Sequence, residues 1–392
     1  MTPAARVQAA IEILDEVIAA ARGGGAAADT IVSRYFATRR YAGSKDRRAV
    51  RDHVYRAIRA WPQPPESGRA AMLGLAAQDE ALLATFDASA HGPAAPEAAP
   101  QPIPAASGPA WLASRFDPVV GEAEWPVLLE RAPLDLRVNR LRGTVEDARA
   151  QRGGEPTPLS PLGLRLPDGT RVEESDAFGA GLVEVQDEGS QLLALACGAQ
   201  LGWTVVDLCA GAGGKTLALA AEMGDFGRIV ATDTDRGRLS RMAPRLGRAG
   251  VSIVETRLLD PGREREALAD LAGGADLVLV DAPCSGTGTW RRNPELRWRL
   301  SDTRLEALVK LQAYLLDLAA ELVKPGGILV YAVCSLLTQE GQGQAEAFGA
   351  RSAMVPEAPP IGAGRVAGRG LILSPAHDGT DGFFVARWRA PC

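Results

Sequence analysis

Cysteine and histidine are scarce in this sequence and long apolar runs are missing, and each shortage excludes a class of protein. Five cysteines and three histidines among 392 residues, far apart and without a Cys-x-x-Cys pair, give no basis for a disulfide framework or a metal site. No apolar stretch is long enough to span a bilayer, so no membrane role is expected. The start, Met1-Thr2-Pro3-Ala4-Ala5-Arg6, turns amphipathic with Glu12, Asp15 and Glu16, which a secretory signal or an acid-poor transit peptide would not tolerate. A cytoplasmic protein is expected, and a monomer. Strong charge of either sign is lacking too: the net charge of -5 does not by itself advertise a polyanion partner. Its distribution is more informative. Residues 1–61 carry eleven Lys and Arg against six Asp and Glu, leaving ten net negative charges on the remainder. A basic N-terminal unit on an acidic body suits an RNA-docking module attached to an enzyme, although a solvated helix face fits the charge equally well.

What the chain has in quantity is core-forming material. Hydrophobic residues make up 46% of it, and 392 residues exceed the size at which one core keeps growing, so two or three domains are expected. Apolar residues recur at helical spacing at Val7, Ile11, Leu14 and Ile18, and again at Val50, Val54, Ile58 and Trp61. This predicts an all-helical domain over residues 1–87, broken at Gly23-Gly24-Gly25, whose later helices carry Arg39, Arg40, Lys45, Arg47, Arg48, Arg51 and Arg56. Residues 88–109, rich in Ala, Pro and Gly, predict a linker. Residues 110–180 predict a small α+β subdomain with a strand at Leu134-Asp135-Leu136-Arg137-Val138.

From 181 to 392 apolar strands alternate with amphipathic helices, with strands expected at 204–208, 228–232, 252–255, 276–281, 328–333 and 383–387. The helix through Leu305, Leu308, Leu315 and Leu322 should stop at the breaker Lys324-Pro325-Gly326-Gly327. The fold class is α/β, a mostly parallel, doubly wound Rossmann-like sheet whose ligands sit at the C-terminal strand ends.

The first strand of that sheet leads into Cys209-Ala210-Gly211-Ala212-Gly213-Gly214-Lys215-Thr216 and then a helix. A glycine-rich strand-to-helix turn lets a cofactor approach the backbone closely, with helix N–H groups available to its polar atoms. Alone it is a weak signal, since the spacing fits neither G-x-G-x-x-G nor a P-loop. The next strand ends at Asp233, where a carboxylate can accept from a ribose, and the third ends near Asp260, placed for an adenine amine. Acidic strand ends around a glycine turn describe an adenosine-containing ligand without separating NAD from S-adenosylmethionine.

Two cysteines decide between them. The fourth strand delivers Asp281-Ala282-Pro283-Cys284-Ser285-Gly286-Thr287-Gly288 and the fifth Val333-Cys334-Ser335, placing two thiols at one edge of the sheet. Cys197 and Cys209 are read as buried and inert. Cytosine C5 is a poor nucleophile, so a thiolate must first add at C6 to make C5 reactive toward a methyl sulfonium. A hydrogen bond at N3, which Asp281 can supply, favours that addition. A second thiol can assist the later elimination.

At these residues the chain resembles the RNA cytosine-5 methyltransferases of the Sun/Nol1/Nop2 family, and most closely its bacterial branch that acts on small-subunit ribosomal RNA. The motifs Asp207–Thr216, Asp281–Gly288 and Val333-Cys334-Ser335 carry the resemblance, with Pro133–Asn139, Val185-Gln186-Asp187, Arg291-Arg292-Asn293-Pro294-Glu295 and Asp381-Gly382-Phe383-Phe384 in support. The resemblance implies a Rossmann-like methyltransferase domain using S-adenosylmethionine, with RNA as partner. It implies that Cys334 is the nucleophile and Cys284 the release cysteine. It also implies that Cys209 to Lys215, Asp233, Asp260 and Asp281 line the cofactor pocket, with Lys215 positioning the cofactor or the base. The N-terminal helices resemble a NusB-like RNA-binding domain, and the arginines of 291–295 are expected to meet phosphates. Two departures stand out: Gly211-Ala212 where Ala-Pro is common, and Glu340-Gly341-Gln342 where Glu-Asn-Glu is common. Neither departure touches a thiol, so the expected chemistry stands. A transfer RNA cytosine-5 methyltransferase remains an alternative reading. So does a non-catalytic ribosome-assembly or antitermination factor, which would have no need of both cysteines.

Overall fold

The computed structural model describes all 392 residues and divides into two compact units. One comprises Met1–Arg115, Trp125–Glu130 and Thr289–Ser301. It is built on four helices, α1 (Pro3–Gly23), α2 (Ala28–Ala37), α3 (Ser44–Ala60) and α4 (Gly68–Ala76). The Thr2 hydroxyl caps α1 by accepting from the Ala5 N–H, and Pro3 opens its first turn. Val7, Ile11, Leu14 and Ile18 form the buried stripe that the spacing predicts, and they cluster with Val50, Val54 and Ile58 of α3 and Met72 and Leu75 of α4. Residues 88–109 form no helix or strand, yet they are not a bare spacer, because Ile103 packs against this core.

Residues 289–301, far downstream in the chain, complete the same unit. Arg297 is fully buried, and its guanidinium donates to the carbonyls of Ile58 (2.5 Å), Arg59 (2.7 Å) and Trp61 (2.7 Å). These carbonyls lie at the C-terminal end of α3, where intrahelical donors run out and a cation is favoured. The Glu295 carboxylate accepts from the Ala28 N–H at the start of α2, the matching arrangement for a helix N-terminus. The expectation that the arginines of 291–295 meet phosphates is corrected for Arg291, which is buried. This segment is internal mortar.

The second unit comprises Phe116–Glu124, Arg131–Gly288 and Asp302–Cys392. A small antiparallel sheet consists of β1 (Leu134–Val138), β2 (Glu155–Pro156), β3 (Gly163–Leu166) and β4 (Val183–Val185), in the order β2-β3-β1-β4. Val183–Val185 lies beyond the boundary expected at 180, because Leu136 and Val138 need a partner on their second side.

The large sheet holds β5 (Thr204–Asp207), β6 (Arg228–Asp233), β7 (Val254–Leu258), β8 (Ala275–Asp281), β9 (Val323–Val333), β10 (Val355–Glu357), β11 (Arg365–Ala367), β12 (Gly370–Leu373) and β13 (Phe383–Arg389). Its order is β11-β12-β13-β9-β8-β5-β6-β7, with β10 also pairing with β13. Strands β5 to β9 pair in parallel, whereas β10 to β13 add antiparallel pairs, so the parallel half is extended by an antiparallel one. The central strands are apolar without alternation, as sheets covered on both faces require: Leu277, Val278, Leu279 and Val280 are all fully buried.

The third strand starts at Val254 rather than 252, because Ser252 is tied to Asp225 through its N–H and hydroxyl. The long helix ends at Leu322, and Lys324-Pro325-Gly326-Gly327 becomes the irregular start of β9, where the register slips between Ala275 and Leu277. No helix is long and apolar enough to cross a membrane.

Candidate active site

Chain order reverses direction between β5 and β8, which is where an open parallel sheet leaves a crevice at its C-terminal edge. Register brings Asp207 level with Leu279 and Asp281 level with Ala332, so the carboxylates of β5 and β8 and the thiols beyond β8 and β9 share that edge.

The glycine turn follows β5. Gly213 has φ +85°, a conformation other residues rarely adopt, and a Cβ there would lie 2.6 Å from Met242. Its N–H closes a turn on the Ala210 carbonyl, and the helix Gly214–Glu222 begins at once. The turn is held from below by Asp233, buried at the end of β6, which accepts from the Gly211 N–H (2.8 Å) and the Asp235 N–H (2.7 Å). From the side, Arg245 donates to the Ala212 carbonyl (2.7 Å) and to Glu184 of β4 (3.1 Å), so the small sheet braces the loop. Arg248 pairs with the same Glu184. Cys209, Ala210, Ala212 and Gly214 are partly exposed on this turn, and Asp260, just beyond β7, is exposed.

Lys215 points from the first turn of the helix to Asp281, Nζ to Oδ2 2.6 Å. Burial works against the lysine's charge, but the Asp281 carboxylate outweighs it and lifts the Lys215 pKa above its ordinary value. The Lys215 ammonium also lies 5.9 Å from the centre of the Phe383 ring, in the Asp381-Gly382-Phe383-Phe384 motif. Asp207 is fully enclosed: burial pushes its pKa up to about 7, although the Thr216 hydroxyl donates to one oxygen. Its other oxygen has no partner.

The thiols of Cys284 and Cys334 are 3.3 Å apart. Adjacent parallel strands produce this. The Ala282 N–H continues the ladder to the Ala332 carbonyl, and the Gly288 N–H returns to the carbonyl of Cys334 (3.1 Å). Gly288 is pressed so closely on the 381–384 turn that a Cβ would sit 2.0 Å from the Gly382 carbonyl oxygen, and Gly382 in turn donates to the Gly288 carbonyl. The hydrogen bond with Cys334, together with burial, raises the Cys284 pKa well above its ordinary value. Cys197 is fully buried elsewhere in the core, as expected, whereas Cys209 is only partly so.

Sequence reasoning missed the polar floor beneath the thiols. Ser285, Thr287, Ser335, Gln312 and Glu340 are all buried and mutually hydrogen-bonded. Glu340, the residue that keeps the common Glu ahead of Gly341-Gln342, touches neither thiol but bonds to the residue following each cysteine. The one available signal was a serine after each cysteine and an acidic residue shortly downstream.

This sheet order, with a glycine turn after its central strand and functional groups crowded at the C-terminal edge, defines the class as a Rossmann-like methyltransferase fold. The chain belongs to the 16S rRNA methyltransferase RsmB/F family, whose model matches residues 194–389. It is 36% identical over 299 residues to the probable ribosomal RNA small subunit methyltransferase B of Synechocystis sp., covering 71% of this chain and 66% of that one. It is 35% identical over 290 residues to ribosomal RNA small subunit methyltransferase B of Salmonella arizonae, covering 71% and 65%. The match thus spans slightly less than two thirds of these curated relatives. Among solved structures, PH0851 has a similar fold over 99% of both chains, with TM-score 0.76 and 24% identity. A methyltransferase homologue from Pyrococcus horikoshii aligns with TM-score 0.60 and 27% identity, over 68% of this chain and 89% of that one.

Proposed function

We propose that this protein transfers a methyl group from S-adenosylmethionine to C5 of a cytosine in small-subunit ribosomal RNA. The observation that carries the reading is the pair of thiols 3.3 Å apart at neighbouring strand ends, beside the Lys215–Asp281 ion pair. The donor set fits the cofactor: the Asp233 carboxylate at the end of β6 suits its ribose hydroxyls, the Asp281 carboxylate suits its cationic groups, and the amides opening the helix at Gly214 suit its carboxylate. Cys209 to Lys215, Asp233, Asp260 and Asp281 are the residues we assign to it. S-adenosylmethionine supplies the electrophilic methyl group.

The chain's own residues do the rest. The Cys334 thiolate adds to C6 of a flipped-out cytosine, forming a C–S bond and pushing electron density to C5. Asp281, ion-paired with Lys215, holds N3 through a proton of that pair as negative charge develops on the ring. After transfer, the Cys284 sulfur, as a thiolate, takes the C5 proton, the C5–H electron pair re-forms the C5–C6 double bond, and the C6–S bond breaks to release Cys334 as a thiolate.

RNA docking falls to the helical unit, where Lys45, Arg47, Arg48, Arg51 and Arg56 are exposed along α3. The test is incubation of the protein with cofactor and unmodified small-subunit or transfer RNA, followed by bisulfite mapping. A protected cytosine in the ribosomal RNA supports the reading, one only in transfer RNA moves the substrate, and none in either refutes the enzyme.

A further inference from the structure

One buried carboxylate holds both cysteine loops. Glu340 is fully buried and accepts four hydrogen bonds: from the Ser285 N–H (2.8 Å), the Ser285 hydroxyl, the Ser335 hydroxyl (2.6 Å) and the Gln312 amide (2.9 Å). Ser285 directly follows Cys284, and Ser335 directly follows Cys334. Gln312 donates also to the carbonyl of Pro283, directly before Cys284. The Glu340 backbone carbonyl is itself pinned by the Tyr331 hydroxyl on β9 (2.7 Å). All four donors to the carboxylate are neutral. A buried carboxylate satisfied in this way is costly to keep and specifies geometry, since every donor must be in place to offset its lost hydration.

We propose that Glu340 is a positioning residue for the two-cysteine step. By bonding to the residues that follow Cys284 and Cys334, it fixes the thiol separation at which one sulfur attacks the base and the other assists proton removal. This rests on the reading above, but the spacing it sets can be measured without any methyl transfer.

Phenylarsine oxide joins two thiols only when they are close: two S–H bonds are exchanged for two As–S bonds, and the oxide oxygen leaves as water. With the full chain, bridging of Cys284 to Cys334 is read by mass spectrometry, and methyl transfer as kcat and KM for RNA. The wild-type protein should bridge readily. Glu340→Ala should bridge at least ~10-fold more slowly and lose about 100-fold in kcat, while KM for RNA and cofactor affinity stay within about twofold, as expected for displacement of reacting groups by about an ångström. Should Glu340→Ala fail to fold, the double variant Ser285→Ala/Ser335→Ala, which keeps the carboxylate but removes its hydroxyl links to both loops, gives the same comparison. Bridging as fast as wild type in the variant that folds overturns the proposal, and so does a parallel loss of cofactor affinity, which would mean general disruption. A wild-type protein that bridges but methylates no RNA, with bridging slowed in the variant, leaves the positioning role intact and overturns the enzymatic reading instead.

Discussion

Arg297→Ala should unfasten the helical unit while sparing cofactor binding. The three carbonyls of Ile58, Arg59 and Trp61 all converge on Nη2, which carries only two hydrogens, so they share about two full bonds rather than three. Each charge-assisted bond contributes about 1.5–3 kcal/mol. Against this stands the cost of burying a guanidinium, visible in a pKa pushed down to about 10 by burial. Removing the side chain relieves that cost but strands the Ile58 and Arg59 carbonyls, since only the Trp61 carbonyl keeps another donor, from Trp298, and each buried acceptor left unsatisfied costs about 1–3 kcal/mol. A loss of about 3 kcal/mol is expected, or a fall of roughly 10 °C in the transition of a unit this size. Calorimetry and far-ultraviolet dichroism of the full chain read the transition, and titration calorimetry reads S-adenosylmethionine affinity, which should stay unchanged. Arg297→Lys should recover less than half of the loss, since an ammonium cannot span the same carbonyls. A shift below about 2 °C in Arg297→Ala would refute the capping argument.

The two cysteines should fail differently: Cys334→Ala stops adduct formation, whereas Cys284→Ala accumulates protein joined through Cys334 to methylated RNA, visible as a slow, protease-sensitive band on a denaturing gel. A band in Cys334→Ala alone would reverse the roles. Burial raises the Asp207 pKa from 3.8 to about 7, so the native protein holds a proton there that the unfolded chain releases. The stability this proton contributes is complete below about pH 3.8 and is lost as pH rises through about 7; Asp207→Asn should flatten the dependence of thermal stability on pH across that window, and an unaltered slope would argue that Asp207 is ionised throughout. Replacing Lys45, Arg48 and Arg51 by serine should lower the slope of log affinity for RNA against log salt by about 2. Deleting residues 1–87 would be a poor substitute, because it would strip Arg297 and Trp298 of the carbonyls they bond.

The alternation of strands and helices, the glycine turn, Asp233 and the two cysteines could all be read from the sequence, because each depends on local pattern: apolar period, a backbone conformation only glycine adopts, or a reactive side chain at a strand end. Strand adjacency was implied as well, since consecutive parallel strands with short crossovers usually pair. Three features depended on tertiary structure. Arg291-Arg292-Asn293-Pro294-Glu295 follows the Cys284 motif and its arginines were expected at phosphates, yet Glu295 and the nearby Arg297 cap α2 and α3, partners more than 230 residues away. Val183–Val185 joins the small sheet because that sheet needed an edge strand, a demand set by packing rather than by propensity. In the sequence Glu340 is only an acid a few residues beyond Val333-Cys334-Ser335; the folded chain alone places four donors around it, because hydrogen-bond satisfaction is a property of everything that converges on a buried atom and leaves no period in the sequence.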